Sequence, residues 1–100
     1  MTKYYVKWQL NPMLPVEDPE ERGKLWVKML QMVKADMEAG RIKDWGNCCD
    51  GSGGYSIMEA KSEEELFASI LKWVPYVSFD ATPVITVDQT LEQIMKLGAR

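Results

Sequence analysis

The chain has no histidine. That removes the commonest metal ligand and the side chain most easily used as a general base near neutral pH. Cysteine is scarce, with only Cys48 and its neighbour Cys49. With no second pair and no histidine, the usual structural zinc sets cannot be assembled. Two cysteines and an opening stretch that reads as a strand rather than a signal fit a reducing, cytoplasmic location. No apolar run approaches the ~18 residues of a membrane span, so no membrane partner is expected. Charges are mixed along the chain, and a net charge of −3 leaves no basic footprint for nucleic acid. Repeats, low-complexity tracts and long linkers are missing as well.

What is there is an ordinary globular composition over 100 residues. It reads as one domain, residues 1–100. A chain of this size removes roughly 60–70% of its unfolded surface from water, enough for a core without disulfides or metals. "KYYVKWQL" alternates, with Tyr4, Val6, Trp8 and Leu10 on one face of a strand and Tyr5, Lys7 and Gln9 on the other. "NPMLPVEDP" reads as a loop held open by Pro12 and Pro15. A helix follows, with Asp18 as N-cap, Pro19 at its first position and Glu21 completing a capping box. Its stripe is Leu25, Trp26, Met29, Leu30, Val33 and Met37, and Gly40 suits its end. "RIKDWGNCC" and "YSIMEA" read as strands joined through the turn "DGSGG".

Ser62 and Glu65 form a second capping box. The helix they open carries Leu66, Phe67, Ile70, Leu71 and Val74 as its expected buried face, and Pro75 stops it. "YVSFDATPVITV" reads as a strand, with Pro83 at its end or on a sheet edge. A last helix is expected from an Asp88 cap, with Leu91, Ile94 and Met95. The order β-α-β-β-α-β-α predicts an α+β, ferredoxin-like fold: a four-stranded antiparallel sheet with an extra C-terminal helix.

Both long helices must then cover one side of the sheet. Val6, Trp8, Val77 and Phe79 suit that side. The opposite face is expected to carry Tyr5, Lys7, Gln9, Ser56, Met58, Tyr76, Ser78, Asp80 and Thr82. Such a mixed, tyrosine-rich surface suits a half-wet contact with a second copy better than bulk water. Tyr5, Lys7, Met58, Tyr76 and Asp80 are the candidate dimer interface.

The segment "GSGGYSIMEA", followed by a helix and "WVPYVSFDATPVI", resembles an uncharacterised small-protein family of the dimeric α/β-barrel superfamily. Muconolactone isomerases and cofactor-independent antibiotic-biosynthesis monooxygenases are similar at greater distance. The resemblance implies two four-stranded sheets facing each other across a homodimer, with the helices outside. It carries over no catalytic residue, and the haem-using branches are excluded by the missing histidine. One scaffold of this kind hosts many activities.

Four sites could hold chemistry. Cys48 and Cys49, taken as adjacent strand residues, point to opposite faces and cannot chelate one ion together. They are expected to be unbridged and structural, one packed and one at the strand end. The glycine run lacks the Lys-Ser/Thr of a phosphate-binding loop. Glu59 shares parity with Ile57 and, if Ile57 faces the helices, points into a space lined by Trp8, Trp26 and the Met-rich first helix. A carboxylate beside apolar walls holds its proton more readily and could carry one. Trp8, Trp26, Met29 and Phe79 are the candidate lining of a pocket for a small apolar or aromatic molecule, methionine packing being adaptable. Two functions follow: a homodimer that binds such a molecule, or a cofactor-independent enzyme of isomerase or monooxygenase type with Glu59 as proton carrier. No cofactor or metal is called for in either.

Overall fold

The computed structural model describes residues 1–11, 18–74 and 76–98. The loop expected at Pro12 and Pro15 and the stop expected at Pro75 lie outside the described residues. The elements are β1 (Thr2–Leu10), α1 (Pro19–Glu38), β2 (Ile42–Asn47), β3 (Gly54–Ala60), α2 (Glu63–Leu71), β4 (Val77–Val84) and α3 (Val87–Gly98). The strands form one antiparallel sheet in the order β2-β3-β1-β4. This is the α+β, ferredoxin-like arrangement that the element order predicts. β1 and β3 are central, β4 is an edge, and Pro83 is therefore tolerated inside β4, because an edge strand can spare one backbone donor.

The local signals act as physics expects. Asp18 caps α1 by accepting a hydrogen bond from the Glu20 amide at 3.0 Å, and Glu21 faces Lys24 at 3.8 Å. Gly40, at φ 81°, supplies the left-handed residue after α1. Ser62 accepts from the Glu65 amide at 3.2 Å. The third cap differs from expectation. Thr86 is the capping residue of α3, not Asp88: Thr86 Oγ1 accepts from the Gln89 amide at 3.1 Å, and Gln89 Oε1 accepts from the Thr86 amide at 2.8 Å. This is a reciprocal capping box two residues earlier than a search for acidic caps finds.

β2 ends at Asn47, before the two cysteines. Cys48 and Cys49 lie in the β2–β3 turn, and both are free and exposed. Neither is packed, which corrects the expectation of one buried thiol. The turn is held by the Cys48 amide donating to Gly53 O (2.8 Å) and the Gly51 amide to Cys48 O (2.9 Å). Asp50 accepts from the Ser52 hydroxyl and amide, and these bonds hold its carboxyl below the usual range.

Cross-strand partners share a sheet face. Val6 is fully buried and stands opposite Ser56; Tyr4 stands opposite Met58. Ser56, Met58 and Ala60 therefore point to the helix side and are buried, while Tyr55, Ile57 and Glu59 point to the open face. The parity expected for β3 is thus reversed. Met58 belongs to the core rather than to the open face, and Glu59 belongs to the open face rather than to a pocket beneath the helices. Both alternating sets of β3 contain one large apolar residue, so alternation alone could not choose between them. A bulge between Ile42 and Asp44 lets β2 follow with Ile42 and Trp45 inward.

The core gathers Tyr4, Val6, Val33, Ile42, Met58, Leu66, Trp73 and Val77. The helices bury less than their stripes predict. Phe67, Leu71 and Val74 are about half exposed, as are Trp26, Leu30 and Met37. α3 contributes nothing to the core; every one of its residues is exposed, including Leu91, Ile94 and Met95. The molecule extends 62 × 26 × 21 Å. Among the described residues no helix is long and apolar enough to cross a membrane.

Candidate functional site

α1 packs on β2 and α2 packs on β3. Between them and the sheet lies a half-open cavity of about 190 Å³. β1 supplies Trp8 and Leu10, β4 supplies Val77 and Phe79, α1 supplies Trp26, Met29, Leu30 and Val33, and α2 supplies Ile70. Trp8, Trp26, Met29 and Phe79 all border this cavity. Among the described residues no ionisable side chain lines it.

The floor of this cavity follows from small residues on β3. Trp8 stands opposite Gly54, and Trp45 opposite Ser56. The two indoles come from strands on either side of β3 and stack across it, with centroids 5.4 Å apart and planes 13° from parallel. A Cβ at Gly54 would collide with both the Trp8 ring and the Gly46 carbonyl oxygen. Glycine is required there for room, not for backbone freedom. The Trp8 indole N–H donates to Tyr55 O at 3.3 Å, which fixes the ring's tilt. Asn47 at the end of β2 and Gly51 of the β2–β3 turn also line the cavity. The glycine-rich turn thus frames a mouth as well as reversing the chain, a role its sequence did not disclose. Arg22 sits over the Trp26 ring at 5.8 Å, within cation–π range.

The open face carries a different set. Glu59 stands opposite Lys3 and lies 3.7 Å from Lys43. It is across the sheet from the cavity, so Glu59 and the apolar lining are not brought together. Tyr5, Lys7 and Asp80 are on this face as expected, Lys7 and Asp80 directly opposite one another, and Tyr76 is exposed just before β4. The Tyr55 hydroxyl donates to Asp44 Oδ2 at 2.8 Å. That bond, with burial and the Asp44 charge adding to it, raises the Tyr55 pKa above the ordinary tyrosine range. The raised value means that the bond's contribution to stability is complete below the ordinary tyrosine pKa of about 10 and is lost as pH climbs through the folded-state value. In a spectrophotometric titration one tyrosine should ionise after the others. Asp44→Asn should return it to the common range; an unchanged late tyrosine in that variant would contradict the assignment.

A second polar feature escaped sequence reading. Asp36 is only 1% exposed. Its Oδ1 accepts from Arg41 Nε (3.0 Å) and Nη2 (2.7 Å), and its Oδ2 from Lys72 Nζ (2.7 Å). The carboxylate ties the end of α1 to the start of β2 and to the residue after α2. The signal was available: Asp36 lies three residues after Val33, where the apolar stripe of α1 should continue.

Among the described residues no group of carboxylates and thiols could hold a metal ion. A family model described as a domain of unknown function, DUF3303, matches residues 2–98. A comparison with curated proteins finds no match.

Proposed function

The chain belongs to this DUF3303 family of unknown function, which hands down no activity, and we propose that it works as a homodimer that binds one small apolar or aromatic molecule in the cavity between sheet and helices. The observation that carries the reading is the cavity itself. Its volume of about 190 Å³ exceeds the ~150 Å³ of an apolar cavity known to take up benzene. An apolar lining with few polar groups is the usual make-up of a small-molecule site.

Dimerisation through the open sheet face fits the dimeric α/β-barrel superfamily. Two uncovered surfaces support it. One is the open face with Tyr5, Tyr55 and Ile57; the other is the apolar stripe of α3, whose residues have no cover within the chain. A two-fold pairing covers a surface by its own copy, and tyrosine-rich surfaces suit such contacts. An enzyme using Glu59 as proton carrier has no comparable support, because Glu59 lies across the sheet from the cavity.

Two measurements test the proposal. Sedimentation at micromolar concentration should give about twice the chain mass of 11.5 kDa, and a clean monomer would sink the dimer. An NMR titration with p-xylene should shift the resonances of Trp8, Met29 and Phe79 together and leave the open face still. Absence of any saturable shift would remove the binding function.

A further inference from the structure

Only two polar residues are buried among the described residues, Asp36 and Ser56. Asp36 is saturated by three hydrogen bonds. Ser56 is 4% exposed, and its hydroxyl makes no hydrogen bond among the described residues. No buried polar side-chain atom is both sealed off and unpaired, so this hydroxyl must reach open space. The space it borders is the cavity, which Ser56 lines from the centre of β3, between Val6 and Trp45. A buried polar group is normally bonded, and the packing beneath the stacked indoles asks only for a small residue at this position, which alanine would supply without an oxygen. An unbonded hydroxyl on an otherwise apolar floor is the arrangement by which binding sites fix a ligand's orientation.

Resting on the cavity-binding reading above, we infer that the ligand is a neutral single-ring aromatic bearing one hydroxyl or carbonyl group, and that Ser56 Oγ is the group that recognises this substituent. Three features select the class. The volume admits one ring with small substituents. The stacked indoles of Trp8 and Trp45 offer flat aromatic surface. Among the described residues the lining holds no ionisable side chain, so a carboxylate or ammonium would be stripped of water without a counter-charge from them. Of the remaining side-chain polar groups on the lining, the Trp8 N–H is engaged by Tyr55 O, Asn47 is exposed, and the indole N–H groups of Trp26, Trp45 and Trp73 can donate but not accept. A hydroxyl can both donate and accept, so a phenol and an aryl ketone are both served.

The test compares three probes of nearly equal shape, p-cresol, p-xylene and p-toluate, against the full chain and its Ser56→Ala and Ser56→Thr variants, with dissociation constants from NMR titration. Taking the p-cresol to p-xylene affinity ratio in the unaltered chain as reference, Ser56→Ala should lower it about 3- to 10-fold, the worth of one hydrogen bond between neutral groups. Ser56→Thr keeps the hydroxyl and should keep the ratio. p-Toluate should bind at least 10-fold more weakly than p-cresol. An unchanged ratio in Ser56→Ala, with both neutral probes still binding, overturns the role of Ser56 and leaves the cavity function standing. Equal binding of p-toluate overturns the neutrality of the ligand. If none of the probes binds the unaltered chain, the cavity function falls and this inference falls with it.

Discussion

Asp36→Ala should lower the unfolding free energy by about 2–4 kcal/mol. Three short charge-assisted bonds end on this carboxylate, and each such bond contributes roughly 1.5–3 kcal/mol. The sum is not lost in full. The Arg41 and Lys72 side chains are 48% and 34% exposed, so both cations can turn to water once the carboxylate is gone. Removing both cations is the harsher change. Arg41→Met or Lys72→Met alone leaves Asp36 one partner and should cost about 1–2 kcal/mol each. The double variant leaves a buried carboxylate with neither cation and should exceed the sum of the two, since residues in one network are not additive. For a domain of this size each kcal/mol moves Tm by roughly 4–8 °C, so thermal unfolding resolves every step. An additive double variant would show that Asp36 draws its stability from elsewhere.

Gly54→Ala should cost about 3 kcal/mol, at the upper end for overpacking. The added methyl meets the Trp8 ring, which is held by its bond to Tyr55 O, and the Gly46 carbonyl, which is part of the β2 backbone. Neither yields cheaply. The variant should also lose the near-ultraviolet circular dichroism of the stacked Trp8–Trp45 pair and bind p-xylene poorly, because the same ring forms the cavity floor. Gly23→Ala is the matched control. Its methyl meets nothing within 4 Å and sits in α1, so it should stabilise by about 0.5–1 kcal/mol. Two substitutions of the same kind, opposite in sign, separate a glycine needed for space from one that is merely permissive. A Gly54→Ala protein with unchanged stability and dichroism would refute the floor described above.

Both effects come from residues that a single strand or helix does not explain. Asp36 interrupts a stripe for the sake of Arg41, five residues on, and Lys72, just beyond α2. Gly54 is small because Trp8, on another strand, lies over it. Local pattern cannot report such partners.

The sequence by itself determined the order of elements, the caps at Asp18 and Ser62, the end of α1 at Gly40 and the inward face of β1. These are near-neighbour matters: a capping oxygen finds amides two or three residues away, and alternation along β1 sorts Tyr4, Val6 and Trp8 from Tyr5 and Lys7 without ambiguity. The tertiary structure alone decided the face of β3, since Ile57 and Met58 offered equal claims until pairing with β1 put Ser56 against Val6. It also decided that Cys48 and Cys49 lie in a turn, and that Phe67, Leu71 and α3 stay uncovered by the chain's own core. The physical reason is common to all three. Which apolar side chain is buried depends on what the rest of the chain brings opposite it, and a chain of 100 residues carries more apolar surface than one small sheet face can cover.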